Sequence, residues 1–121
     1  MTEVLLVEDS PTQREMIAVL MKKNGLDVRS AEDGVEALEA VRGQVPDVIV
    51  LDVVMPRMNG YEVCRRLKSD PATEATPIVM CSSKNEEFDR YWGMRQGADA
   101  YVSKPFQPKE LIAAIQTLVR R

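Results

Sequence analysis

Three acidic residues directly follow two apolar segments of this sequence, where they could share a cation. Asp52 follows the apolar residues 48–51, and Glu8 and Asp9 follow the apolar residues 4–7. An unpaired charge is very costly to bury, so an acid at the end of a buried strand should meet solvent or a cation. Carboxylates held together repel one another until a cation neutralises them. An all-oxygen set of ligands suits Mg²⁺, which binds through few carboxylates and keeps water molecules for a phosphate.

A hydroxyl and an ammonium group complete the candidate site. Ser82 follows the apolar segment 78–81, and Lys104 follows the segment 99–103. Asp52 could act as a nucleophile, because protein carboxylates form aspartyl phosphates. A phosphoryl group that gains negative charge is stabilised by a cation, an ammonium and a hydroxyl donor. Mg²⁺, Lys104 and Ser82 would supply these groups.

The order of the segments determines whether these residues can meet. The predicted strands span residues 3–7, 26–31, 48–52, 78–81 and 99–103, and an amphipathic helix follows each of them. Helical crossovers require a parallel sheet with helices on both faces. We predict a (βα)5 flavodoxin-like three-layer sandwich with strand order 2-1-3-4-5. The candidate residues then all lie at the carboxyl edge of one sheet, where open α/β folds bind ligands.

Capping signals mark the start of the helices. Ser10 is predicted to cap the first helix, Pro11 suits its first position, and Gln13 would complete a capping box. The second and third helices are predicted to begin at Asp33 and Asn59 in the same way. The apolar stripe expected to face the core in the first helix consists of Met16, Ile17, Leu20 and Met21.

Length and composition limit the possible functions. The chain of 121 residues is predicted to form a single domain over residues 1–121, with no output domain. Its net charge is −3 and its charges are dispersed, so no nucleic-acid partner is expected. No apolar stretch could span a bilayer and no signal peptide is present, so a cytoplasmic location without membrane insertion is predicted. The absence of histidine excludes histidine-based catalysis and histidine metal sites.

Four motifs in this order resemble the receiver domains of two-component response regulators, including the single-domain CheY-like proteins. The motifs are Val7-Glu-Asp-Ser10, Leu51-Asp52 with Met55-Pro56 and Gly60, Met80-Cys-Ser82, and Tyr101-Val-Ser-Lys-Pro105. The resemblance covers the whole chain. It implies that Asp52 is the phosphoacceptor and that Mg²⁺ is bound by Glu8, Asp9, Asp52 and the backbone carbonyl of Val54. Aspartate is frequent in the family where Glu8 stands, so the longer side chain could reach the metal through water.

The resemblance also assigns a switch. Ser82 would be the switch hydroxyl, Tyr101 the switch aromatic residue and Lys104 the lysine that senses the phosphoryl group. The peptide bond between Lys104 and Pro105 would be cis, and a cis bond is plausible only before proline. The protein would not be a conventional enzyme, but a phosphoacceptor that assists its own phosphorylation and its slow autodephosphorylation.

Partners follow from the same resemblance. Without histidine the chain cannot be its own phosphohistidine donor, so a CheA-like histidine kinase is expected to supply the phosphoryl group. A downstream protein target would bind the surface formed by the fourth helix, the fifth strand and the fifth helix. Within the family, the segment Tyr91-Trp-Gly-Met-Arg-Gln-Gly-Ala98 together with Ser82-Ser-Lys84 resembles PilH-type regulators of twitching motility.

Two positions could set the lifetime of the phosphoryl group. Val54 and Lys84 flank the phosphoryl group in the family, and CheY-like chemotaxis proteins often carry a polar residue where Val54 stands. We expect that Val54 cannot orient an attacking water molecule and that Lys84 shields the phosphate. The acyl phosphate should therefore outlive that of a variant with a polar residue at position 54.

Rival functions remain open. A haloacid-dehalogenase-like phosphatase also uses a strand-end aspartate, but it requires a second aspartate at the position of Val54. A flavodoxin-like cofactor binder would have a phosphate-binding loop where Glu8 and Asp9 stand. A phosphorylation-independent interaction module would lack part of the set of acids and lysine, which is complete here. Within the receiver class, the protein could also be a phosphate sink for a sister regulator.

Overall fold

The computed structural model describes residues 1–84 and 86–120 of the chain. Five strands and five helices alternate in this part. In chain order they are β1 (Glu3–Val7), α1 (Pro11–Lys23), β2 (Asp27–Ala31), α2 (Gly34–Gly43), β3 (Val48–Leu51), α3 (Gly60–Lys68), β4 (Ile78–Ser82), α4 (Glu87–Arg95), β5 (Ala100–Ser103) and α5 (Pro108–Val119). The strands form one parallel sheet of order β2-β1-β3-β4-β5, which confirms the predicted fold class and topology.

The central strands are buried on both faces. In β3, Ile49 and Leu51 belong to one core cluster, whereas Val48 and Val50 belong to the other. The first cluster includes apolar residues of α2 and α3, and the second includes those of α1 and α5. Because alternate side chains of a strand point to opposite faces, a run of four apolar residues is what a sheet covered on both faces requires.

The register of β1 and β3 positions the acids. Val7 pairs with Leu51, so Glu8 and Asp52 leave two neighbouring strands side by side. The backbone amide of Asp52 still donates to the carbonyl of Val7, at 3.1 Å. Further along the same edge, Ser82 is the last residue of β4. The predicted meeting of strand ends at one edge is confirmed.

Helix caps follow the sequence signals with one exception. The side chains of Ser10, Asp33 and Asn59 each accept a hydrogen bond from the backbone amide three residues later. The predicted capping box at Gln13 is wrong. The backbone amide of Ser10 donates instead to Oε2 of Glu8, at 3.2 Å, and the side chain of Gln13 accepts a hydrogen bond from Lys104.

The apolar stripe of α1 is narrower than predicted. Ile17, Ala18 and Met21 are buried, but Met16 is 64% exposed. Met16 instead lines a cavity beside the acids, which is described below. Strand limits also differ by a residue, since β2 begins at Asp27 and β5 at Ala100. No helix in the described ranges is long and apolar enough to cross a membrane.

Candidate functional site

Three carboxylates converge at the carboxyl edge of the sheet. Glu8, Asp9 and Asp52 each place one carboxylate oxygen within 4.8 Å of the other two. Glu8 is only 2% exposed, Asp52 is largely buried, and Asp9 is exposed. Like charges at this spacing repel one another unless a cation neutralises them, and three carboxylate oxygens are hard ligands of the kind that Mg²⁺ prefers. The donor set therefore fits Mg²⁺, with Asp9 on the side that faces solvent.

Lys104 reaches this cluster from the end of β5. Its ammonium nitrogen lies 2.6 Å from Oε1 of Glu8 and 3.3 Å from Oδ2 of Asp52. Burial alone would lower the pKa of Lys104, but the hydrogen bond to Glu8 and the charge of Asp52 outweigh it and raise the pKa. The lysine is therefore held as a cation between two acids. The peptide bond that follows it, Lys104–Pro105, is cis, as the family resemblance implied.

Two residues of α1 contact the site without having been predicted to do so. Oε1 of Gln13 accepts a hydrogen bond from Lys104, at 2.5 Å. Arg14 donates from a guanidinium nitrogen to the backbone carbonyl of Glu8, at 2.8 Å. The only signal for either residue in the sequence is its place in the first turn of a helix that begins at the site. This signal is weak, because polar residues in the first turn of a helix are usually solvated.

The backbone around Asp52 leaves space only for glycine at position 60. A Cβ atom on Gly60 would lie 2.2 Å from the carbonyl oxygen of Asp52, so α3 starts in direct contact with the end of β3. The amide of Gly60 donates to the carbonyl of Val53, and the amide of Val54 donates to Oδ1 of Asp52, at 3.3 Å. The side chain of Val54 is 55% exposed beside the carboxylates.

Ser82, Lys84 and Tyr101 form a second group next to the acids. Oγ of Ser82 is buried and accepts a hydrogen bond from the amide of Lys84, at 3.2 Å. The hydroxyl of Tyr101 donates to the carbonyl of Lys84. The backbone of Lys84 thus connects the two residues assigned to the switch. Burial raises the pKa of Tyr101 to about 12.

Arg90 of α4 covers the other side of Tyr101. Its guanidinium carbon lies 5.4 Å from the centroid of the Tyr101 ring, within the range of a cation–π contact. It also donates to the Tyr101 carbonyl and to Oγ of Ser103. The buried orientation of Tyr101 is therefore supported from both α4 and the loop after β4.

A cavity of about 780 Å³ opens beside the acids. One end of it carries Glu8, Asp9, Asp52 and Lys104, and its walls include the apolar side chains of Met16, Ile17, Leu20, Val54 and Phe106. Ser83 lines this cavity, whereas the buried Ser82 does not. Lys104 and Asp52 therefore both face this cavity, whereas Ser82 is buried and is not among its lining residues.

Comparison with known proteins gives a consistent result. Residues 4–116 match the family model described as the response regulator receiver domain. The chain is 36% identical over 119 residues to protein PilH of Pseudomonas aeruginosa, and the match covers 98% of each chain. It is 33% identical to the solved structure of the chemotaxis response regulator CheY4 of Vibrio cholerae, with a TM-score of 0.91 and 98% of each chain covered.

A longer relative matches equally well over its receiver part. The chain is 42% identical over 118 residues to the DNA-binding response regulator MtrA of Mycolicibacterium smegmatis. That match covers 98% of this chain but only 50% of MtrA. The chain therefore spans about half the length of MtrA.

Proposed function

This chain belongs to the response regulator receiver domain family, and from that premise we propose that it accepts a phosphoryl group from a histidine kinase on Asp52. One observation carries the proposal. The carboxylate of Asp52 lies beside those of Glu8 and Asp9 and within 3.3 Å of the Lys104 ammonium. This is the set of groups that phosphoryl transfer to a carboxylate requires.

The acids would hold the cation. Glu8, Asp9 and Asp52 would bind Mg²⁺ together with the backbone carbonyl of Val54, and bound Mg²⁺ would offset negative charge on the phosphoryl oxygens. Glu8 is already neutralised by Lys104 at 2.6 Å. Its contact with the cation would therefore run through water or require the lysine to move toward Asp52.

The transfer step is a displacement at phosphorus. A carboxylate oxygen of Asp52 attacks the phosphorus while the bond between phosphorus and the donor's histidine nitrogen breaks. The electron pair of that bond returns to the donor's imidazole, and the product is an acyl phosphate. Lys104 offsets the added charge, because its ammonium already lies next to Asp52.

The new charge would then change the second group of residues. Ser82 would leave the amide of Lys84 and donate its hydroxyl proton to a phosphoryl oxygen, and Tyr101 would rotate into the vacated space. One or two new charge-assisted hydrogen bonds at roughly 1.5 to 3 kcal/mol each suffice to shift a two-state equilibrium tenfold or more. The switch needs no larger source of energy.

The output would be binding of a protein target on the surface of α4, β5 and α5. Within this region, α4 exposes the large apolar side chains of Phe88, Tyr91, Trp92 and Met94. The rings of Phe88 and Trp92 are stacked, with centroids 6.4 Å apart. Arg90 connects α4 to β5 through Tyr101 and Ser103, so a rearrangement of Tyr101 would reach this surface.

The pathway is proposed from the relatives. The match to PilH along nearly its whole length supports a stand-alone receiver over residues 1–121. The cytoplasmic location, the CheA-like kinase and the role in twitching motility are proposed from the family resemblance. Slow autodephosphorylation would end the signal. We favour a role in signalling over a role as a phosphate sink. A sink must lose its phosphoryl group quickly, whereas the apolar side chain of Val54 does not orient an attacking water molecule.

Mg²⁺-dependent labelling tests this function. The protein is incubated with acetyl phosphate, and its intact mass is recorded with Mg²⁺ or with a chelator. We expect a gain of one phosphoryl group with Mg²⁺ and little gain with the chelator. Asp9→Asn should slow labelling at least tenfold, because it removes an exposed metal ligand. The matched control Asp27→Asn, at the far end of β2, should label like wild type. Labelling that does not depend on Mg²⁺ and is unchanged in Asp9→Asn would refute the proposal.

A further inference from the structure

The loop between β3 and α3 contains a strained turn centred on Arg57. The φ angle of Arg57 is +66°, and the amide of Met58 donates to the carbonyl of Pro56 at 2.8 Å. A hydrogen bond between residues two apart with a positive central φ defines a γ-turn of the rare, strained type. A glycine would adopt this conformation more easily than an arginine. Such an outlier is a reason to ask what the side chain does.

The side chain of Arg57 binds the start of α2. Its Nε and one terminal nitrogen each lie 2.8 Å from Oδ2 of Asp33, which is 8% exposed. The other carboxylate oxygen of Asp33 caps α2 by accepting from the amide of Glu36. That cap, together with Arg57, holds the pKa of Asp33 below its usual value. Arg57 therefore contacts a carboxylate that α2 already orients.

The backbone of the loop lies against α2 at the same place. A Cβ atom on Gly34 would lie 2.6 Å from the carbonyl oxygen of Met58. The far end of the loop is fixed by the hydrogen bond from Gly60 to Val53. The segment that carries Val54 is thus held at its start by Asp52, at its end by Gly60, and in between by Arg57 and Met58 against α2.

We propose that Arg57 is a positioning residue for the cation: its ion pair with Asp33 holds the strained turn and thereby fixes the segment whose Val54 carbonyl would bind the cation. This inference rests on the proposed Mg²⁺ site. The alternative is that the ion pair only stabilises the fold. The two differ in whether Mg²⁺ is bound more weakly when the ion pair is removed.

Two variants separate these roles. Arg57→Ala removes the ion pair but keeps a side chain at the positive φ angle, so the contact that holds the strained turn is lost. Asp33→Asn also breaks the ion pair, while asparagine remains a good helix cap. We measure the Mg²⁺ dissociation constant by calorimetry and the free energy of unfolding by urea. Groups that orient metal ligands typically change affinity 10- to 100-fold, and Arg57 acts through the backbone, so we expect a rise of about three- to tenfold in each variant.

Further measurements sharpen the test. The double variant should bind Mg²⁺ no more weakly than either single variant, because both single substitutions remove the same contact. The rate of labelling by acetyl phosphate at saturating Mg²⁺ should stay near that of wild type, while the Mg²⁺ concentration for half the maximal rate rises. Arg65→Ala, which breaks a surface pair with Glu62 on α3, is the control and should leave the affinity unchanged.

Unchanged affinity in both variants, or a loss of stability in Arg57→Ala without loss of affinity, would overturn the inference. If wild type itself fails to bind Mg²⁺, the proposed function fails instead. If wild type binds Mg²⁺ and both variants match it, only the role of Arg57 is wrong.

Discussion

The ammonium nitrogen of Lys104 lies 2.6 Å from a carboxylate oxygen of Glu8, closer than its 3.3 Å approach to Asp52. The two residues are 96 positions apart in the chain and meet because their strands end at one edge of the sheet. Both side chains are largely buried, at 14% and 3% exposure. The lysine therefore neutralises the most buried acid of the cluster.

Replacing Lys104 should lower the stability of the folded protein, because the buried acids lose their cationic partner. Lys104→Met leaves Glu8 without its partner, and breaking a buried pair costs about 3 to 5 kcal/mol. We expect a loss near 3 kcal/mol in the free energy of unfolding by urea, part of which Mg²⁺ restores because it binds the same carboxylates in the folded state. Lys109→Met, at an exposed position of α5, is the control. A Lys104→Met protein as stable as wild type would refute this account of the cluster.

The lifetime of the phosphoryl group should depend on Val54. Val54→Asn introduces a side chain that can orient water, and we expect about tenfold faster loss, below the 10²-fold or more of a well-placed general base. Decay is followed by intact mass after the phosphodonor is removed. Lys84→Ala should also shorten the lifetime if the lysine shields the phosphate. Val45→Asn, which changes another half-exposed valine away from the site, should decay like wild type. Equal or slower loss from Val54→Asn would contradict the expectation.

Alkaline pH should destabilise the protein through Tyr101. An unfolded tyrosine ionises near pH 10, whereas burial raises the pKa of Tyr101 to about 12 in the folded state. The contribution is therefore fully present below about pH 10 and is lost as the pH rises toward 12. The pKa of Lys104 is also raised in the folded state, so its contribution to stability is likewise lost as the pH rises above the ordinary pKa of lysine. Urea midpoints from pH 8 to 12 should fall less steeply for Tyr101→Phe, and Tyr91→Phe, at a 58% exposed position, should follow wild type. The same slope in Tyr101→Phe would exclude this cause.

Alanine should be tolerated at one glycine and not at another. Gly60→Ala places Cβ 2.2 Å from a backbone oxygen of Asp52, which cannot move without displacing the end of β3. We expect a loss above about 3 kcal/mol, in the range of severe core substitutions. Gly43→Ala meets no atom within 4 Å and should be neutral or stabilising, by up to about 1 kcal/mol. Urea unfolding of both variants checks the contrast, and comparable stability of the two would show that the contact at Gly60 is not restrictive.

The sequence alone predicted the features that depend on periodicity and strand ends. Runs of apolar residues located the strands, and the parallel topology brought Glu8, Asp52 and Lys104 to one edge. Capping signals at Ser10, Asp33 and Asn59 were also correct. These features could be predicted because each depends on local residue types or on a single topological rule.

Contacts between side chains of different elements could not be predicted in this way. Gln13 looked like part of a capping box, but it contacts Lys104 because the end of β5 lies next to the first turn of α1. Met16 fitted the apolar period of α1, yet it lines the cavity instead of the core. The pairing of Arg57 with Asp33 depends on a turn whose positive φ is not encoded by a glycine.

The location of the phosphoryl group tests the central claim most directly. The protein is phosphorylated with acetyl phosphate and Mg²⁺, the acyl phosphate is trapped by reduction with borohydride, and the modified residue is identified by peptide mass spectrometry. The account predicts that Asp52 is reduced to homoserine in wild type and that the Asp52→Asn variant carries no acyl phosphate. Modification of another residue in wild type, or undiminished labelling of Asp52→Asn, would contradict it.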